Sequence, residues 1–176
     1  LPSYRQLPPS ARITMDKAIG EYLEYLDANT DRAESLTSRA LVHQARGDIN
    51  AAEADLLLAL QRNPAWVPGL VNLADLYRAT KRDVMAGGLL RQALALSPQG
   101  SQVRVAMALW HVRQGNLVQG IETLAEGYAM RLDAGSAYVY AVALNSAGQS
   151  EQAMTVVDDL LNADLHNLQV LQLGIN

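Results

Sequence analysis

Four alanines constrain this chain more than any other feature. Ala40, Ala74, Ala108 and Ala141 recur at steps of 34, 34 and 33 residues. A second series of small residues, Ala52, Ala86, Gly120 and Ala153, follows twelve positions behind. Leu56, Leu90, Leu124 and Val157 keep the same phase and carry large apolar groups. A period near 34 implies stacked helical hairpins, each burying its apolar face against the next. Small side chains at two facing positions let paired backbones approach while larger neighbours interlock.

The phase places an array at 31–165, with units near 33–66, 67–100, 101–133 and 134–167. Each unit breaks once, at Arg46-Gly47-Asp48, Lys81-Arg82-Asp83, Gln114-Gly115-Asn116 and Ala147-Gly148-Gln149-Ser150. Glycine supplies the left-handed residue that ends a helix. Asp48, Asp83, Asn116 and Ser150 are then expected to cap the second helix through a side-chain oxygen. Lys81 stands where glycine is expected, which predicts a slightly strained or differently shaped turn. Pro64 and Pro98 end the second helices of the first two units.

Outside the array, residues 11–30 are expected to form an N-terminal covering helix, with one apolar stripe at Ile19, Tyr22, Leu23 and Leu26. Residues 1–10, with three prolines, read as a linker or arm. Residues 168–176, through Leu168, Leu171 and Leu173, read as the truncated start of a further helix. Such a segment leaves an apolar face uncovered, so it frays, folds back or pairs with a second copy, giving a homodimer. The missing initiator Met and the abrupt end suggest a piece of a longer protein.

Composition narrows the function. The 176 residues are 49% hydrophobic and 18% charged, with no Phe, so the core must be built from Leu, Ala, Val and Met. A net charge of −4 argues against a general nucleic-acid binder. No apolar run is long enough to cross a membrane. The absence of cysteine excludes disulfides, thiolate metal sites and covalent haem attachment within this segment.

Nothing in the pattern points to catalysis. His43 and His111 share a repeat position but lie two units apart, about 20 Å at ~10 Å per helix layer, too far to share a metal. Asp158-Asp159 and Glu21 with Glu24 are acidic pairs on solvated helix faces. The Gly87-Gly88 pair has no phosphate-loop spacing around it and is read as a site of close helix approach. Trp66 and Trp110 are read as packing anchors. The chain is accordingly expected to be no enzyme and to need no cofactor or metal.

The pattern resembles the tetratricopeptide repeat over about residues 33–165. Unit two carries it best, with Leu70, Leu73, Ala74, Tyr77, Ala86, Leu90, Ala93 and Pro98 at hallmark positions. Unit one departs at Arg39, where Leu is usual, and at His43; unit three departs at Arg104 and His111; unit four has Leu144 at an aromatic position. The resemblance implies an all-α, right-handed solenoid of about four helix-turn-helix hairpins, with a concave face lined by the first helices. On it, that groove holds Asn72, Asp75 and Arg78, then Val105, Leu109, Val112 and Arg113, then Tyr138, Val142 and Asn145. The apolar members are expected to take an amphipathic helix or extended segment of a protein partner, oriented by the polar ones. The alternative is that this surface packs against other domains of its own parent. The stretches VNLADLYRATKRD, MALWHVRQGNL and YVYAVALNSAGQ are also similar to the repeat tail of bacterial periplasmic multihaem cytochromes. That likeness implies a bacterial, periplasmic parent whose haem-binding part lies outside this chain.

Overall fold

The computed structural model describes residues 8–130 and 133–173, with side chains described as far as Ala163. The described residues are helical, with no strand among them. They divide into two compact units, 1–81 and 82–176.

The first unit contains α1 (Pro9–Asp27), α2 (Ala33–Arg46), α3 (Ile49–Arg62) and α4 (Val67–Ala79). Helices α2 and α3 form a hairpin, α4 packs on both, and α1 packs on α2. Ala40 and Ala52 are fully buried in this hairpin, together with Leu36, Leu56 and Ala59. Trp66 packs on the cluster of Ala33, Leu36 and Ala59, and its Nε1 donates to Thr37 Oγ1 at 2.9 Å. The N-terminal helix starts two residues earlier than its expected range and is thinly covered. Leu26 is buried and Ile19 and Leu23 are half-buried, but Tyr22 is exposed.

The second unit contains α5 (Asp83–Leu96), α6 (Ser101–Arg113), α7 (Leu117–Ala129), α8 (Ala134–Ser146) and α9 (Ser150–Leu173). The hairpins are α6 with α7 and α8 with α9; α5 packs on α6, α7 on α8, and α6 touches α8. The small-residue rule is visible here at atomic scale. A Cβ on Gly120 would stand 3.0 Å from the Ala108 carbonyl oxygen and 2.9 Å from Val112 Cγ2. Ala141 and Ala153 share one core with Ala137, Leu144 and Val156.

Three turns close in the same way. Gly47, Gly115 and Gly148 take φ of 88°, 81° and 78°. In each, the glycine amide donates three residues back and the next amide donates five residues back, as in Asp48 N to His43 O at 2.9 Å. This double closure satisfies the last carbonyls of the first helix. Lys81 takes the left-handed position in the remaining turn with φ 61°, which costs a residue bearing a Cβ.

The expected side-chain caps do not form. Asp48 and Asn116 have ψ of 67° and 62°, far from the extended backbone that aims a capping oxygen at the next amides, and neither makes a side-chain cap bond. The left-handed closure sets that backbone, and the residue contributes its own carbonyl instead, to Ala52 and Gly120. Asp83 lies one position inside α5, behind Arg82, and Ser150 donates its hydroxyl to Asn145 Oδ1 at 3.1 Å. A capping box forms at Asp133 and Ser136 instead, opening α8.

The C-terminal expectation is also corrected. Helix α9 runs unbroken from Ser150 through Leu173, so 168–173 extend that helix and begin no new one. No glycine or proline interrupts the chain between Gln149 and Leu173. Residues 1–7 of the expected arm, and 174–176, lie outside the described residues.

Candidate functional site

In the second unit, the buried residues of α6 are Val103, Arg104, Met107 and Ala108, and those of α8 are Ser136, Ala137, Ala141 and Leu144. At 100° per residue these leave the opposite side of each helix to solvent. Val105, Leu109 and Val112 occupy that side of α6, and Tyr138, Val142 and Asn145 occupy that side of α8, both at i, i+4, i+7. Leu109, Val112, Tyr138 and Val142 are 44%, 39%, 62% and 48% exposed, and Val105 is half-buried. Two touching helices therefore present apolar stripes in the same phase.

The polar members are less available than their spacing predicts. Arg113 grips Asp83 through two bonds, Nε to Oδ2 and Nη2 to Oδ1, both at 2.9 Å, and Gln114 Nε2 donates to the same carboxylate at 3.1 Å. Trp110 Nε1 donates to the Asp83 carbonyl at 2.9 Å, and Arg91 lies over the Trp110 ring. The start of α5 is thus fastened to the end of α6, and Arg113 serves that tether. No local motif announces the pair, because its members lie 30 residues apart. Asn145 accepts the hydroxyl of Ser150. The Ser101 hydroxyl and then the Ser136 amide, which donates to Asp133 Oδ1 at 2.9 Å, hold the Asp133 carboxyl below the usual carboxylate range.

The first unit carries the other expected members on α4. Asn72 is half-buried, and Asp75 and Arg78 are exposed. Arg78 Nε donates to Asp75 Oδ1 at 2.7 Å across one helical turn. This is a polar face, distinct in chemistry from the apolar stripes of α6 and α8.

The histidines read as packing residues stay within packed surroundings. His43 Nε2 lies 3.7 Å from Asp55 Oδ2, and His111 packs edge-on to Trp110. Among the described residues, no group of three or more His, Asp or Glu is placed to hold a metal ion, and no helix is long and apolar enough to cross a membrane.

No protein-family model matches the chain, and no curated protein does. Solved structures do. A crystal structure of MamA superposes with a TM-score of 0.66 at 16% identity, covering 91% of this chain and 88% of that one. A thermophilic TPR protein of Thermus thermophilus superposes at 0.67 with 19% identity, covering 85% and 86%. A Thermobaculum terrenum O-GlcNAc transferase matches at 0.57 with 29% identity over 67% of this chain, which spans only 22% of that enzyme. The fold is that of the tetratricopeptide repeat, an all-α solenoid. These likenesses bear on the repeat and not on the cytochrome resemblance.

Proposed function

We propose that this chain is a protein-binding scaffold whose contact surface in the second unit is the paired stripe of α6 and α8. One observation carries the reading: Leu109, Val112, Tyr138 and Val142 are large, apolar and exposed, in register on two touching helices. Grouped apolar exposure of this kind marks a contact surface. Its two parallel ridges suit one apolar face of an amphipathic helix or an extended apolar segment. Arg113 contributes by fixing the end of α6 through Asp83. Asn72, Asp75 and Arg78 form the polar face of α4 in the first unit.

Peptide display with amphipathic helices tests this directly. Selected peptides are expected to lose at least about tenfold in affinity, or ~1.4 kcal/mol, on Leu109→Glu with Val142→Glu, while the helical circular dichroism is kept. Peptides that bind both proteins equally, or a library that yields no binder, would sink the reading.

The second reading is a structural or oligomerising tail of a larger protein, with this surface packed against its parent. The length of α9 favours it, since its 24 residues outrun the 13 of its hairpin partner α8. A molecular mass by light scattering that rises with concentration, and is restored to monomer by truncation after Ala163, supports this version; a constant monomer mass removes the homodimer.

A further inference from the structure

Arg104 lies near the start of α6 with its side chain 5% exposed, yet its guanidinium has an uneven set of partners. Nε donates to the Pro98 carbonyl at 2.9 Å. Nη1 donates to Glu126 Oε2 at 2.7 Å and to the Thr123 carbonyl at 3.4 Å. Among the described residues, Nη2 finds only the thioether of Met130, with Sδ at 3.7 Å. A thioether is a weak acceptor, so one edge of a buried cation is poorly satisfied. Met130 follows the end of α7, where its amide donates to the Glu126 carbonyl at 3.1 Å. Glu126 and Met130 are therefore one turn apart and hold the same guanidinium. Met130 itself is 46% exposed, open to oxidants in solution.

We propose that Met130 is an oxidation site whose sulfoxide oxygen is taken up by the buried Arg104 guanidinium. The oxidant is a hydroperoxide. The sulfur lone pair attacks one peroxide oxygen, the S–O bond forms as the O–O bond breaks, and sulfur gives up two electrons. With hydrogen peroxide, the proton on the transferred oxygen passes to the departing hydroxide, which leaves as water. Oxidation of a methionine ordinarily disrupts its surroundings by making an apolar side chain polar. Here the new oxygen arises beside a charged donor and replaces the weakest acceptor in the set. The modification strengthens the hold of the α7 end on α6. Met15, Met85 and Met154 are comparably exposed, and no described donor faces their sulfur, so their oxidation brings no such gain.

The test uses the chain carrying Met15→Leu, Met85→Leu and Met154→Leu, which leaves Met130 as the exposed methionine. After hydrogen peroxide treatment, peptide mass mapping locates the added oxygen, and thermal unfolding is compared before and after. A Tm rise of about 2–4 °C is expected, reversed by methionine sulfoxide reductase. A Tm that falls or stays constant once Met130 carries the oxygen overturns the proposal, as does an equal rise in the same chain with Met130→Leu. Should the triple variant fail to fold, Met130→Gln in the otherwise native chain offers an amide oxygen at the same place. It is expected to unfold at a higher temperature than Met130→Leu, and the reverse order overturns the proposal.

Discussion

The α2–α3 hairpin of the first unit carries the half-buried Arg39 and the α6–α7 hairpin of the second the buried Arg104, and they hold them by different means. Arg39 meets a carboxylate that is itself buried: Nε donates to Asp55 Oδ2 at 2.9 Å and Nη2 to Oδ1 at 2.5 Å, with exposed Asp27 as a further partner. The bond to Asp55 raises its pKa further above an already high value. Arg104 has one carboxylate, Glu126, whose side chain is 66% exposed, and otherwise leans on backbone carbonyls. The first hairpin thus depends on a side-chain pair that must be complete. The second spreads its cation over the backbone and depends more on shape, through Gly120 against Ala108 and Gly87 against Trp110.

Arg39→Leu and Arg104→Leu are expected to differ in cost, and equal losses would contradict the two modes of holding. Removing Arg39 strands the Asp55 carboxylate in the interior, at an expected cost of about 3–5 kcal/mol. Removing Arg104 frees a carboxylate that is already in water and leaves the Pro98 carbonyl without its donor, and the expected loss is about 1–2 kcal/mol. Urea unfolding of the two variants, with Arg39→Leu/Asp55→Leu recovering most of the first loss, checks the contrast.

Two neighbouring glycines differ in the space around them. A Cβ on Gly87 would stand 2.3 Å from the Trp110 ring, whereas one on Gly88 meets nothing within 4 Å. Gly87→Ala should therefore destabilise by about 1–3 kcal/mol through overpacking. Gly88→Ala should stabilise by up to about 1 kcal/mol through helix propensity. Thermal unfolding that moves both in one direction would contradict the steric account.

The smallest effect belongs to Asp133, which caps α8 through the Ser136 amide. Asp133→Ala should cost about 1 kcal/mol at neutral pH, the usual loss of a cap. The sign with pH follows from a folded pKa below the unfolded one. The contribution is fully present above about pH 4 and is lost as pH falls through the folded value. The gap between the native chain and Asp133→Ala, followed by chemical denaturation from pH 7 to pH 2, should narrow; a constant gap refutes the assignment to the carboxylate.

Much of this was legible in the sequence. The small-residue series marked the buried contacts of Ala40, Ala52, Ala108 and Gly120, and the glycine spacing marked three left-handed turns and the strained Lys81. The capping residues were misread because a hairpin turn shared by two helices fixes ψ at Asp48 and Asn116 before their side chains can act. The candidate surface was half legible. The resemblance to the tetratricopeptide repeat named Leu109, Val112, Tyr138 and Val142, and all four are exposed, but it gave Arg113 no partner, since Asp83 approaches only when α5 packs on α6.

Periodicity by itself determined that the chain is helical, where its helices turn and which small residues are buried, because these depend on repeats and local backbone preference. Packing alone sets how Arg39 and Arg104 are neutralised, why Gly87 must lack a side chain, and that Met130 faces a buried guanidinium. Each of those rests on groups brought within a few ångströms by packing, a distance that no spacing along the chain encodes.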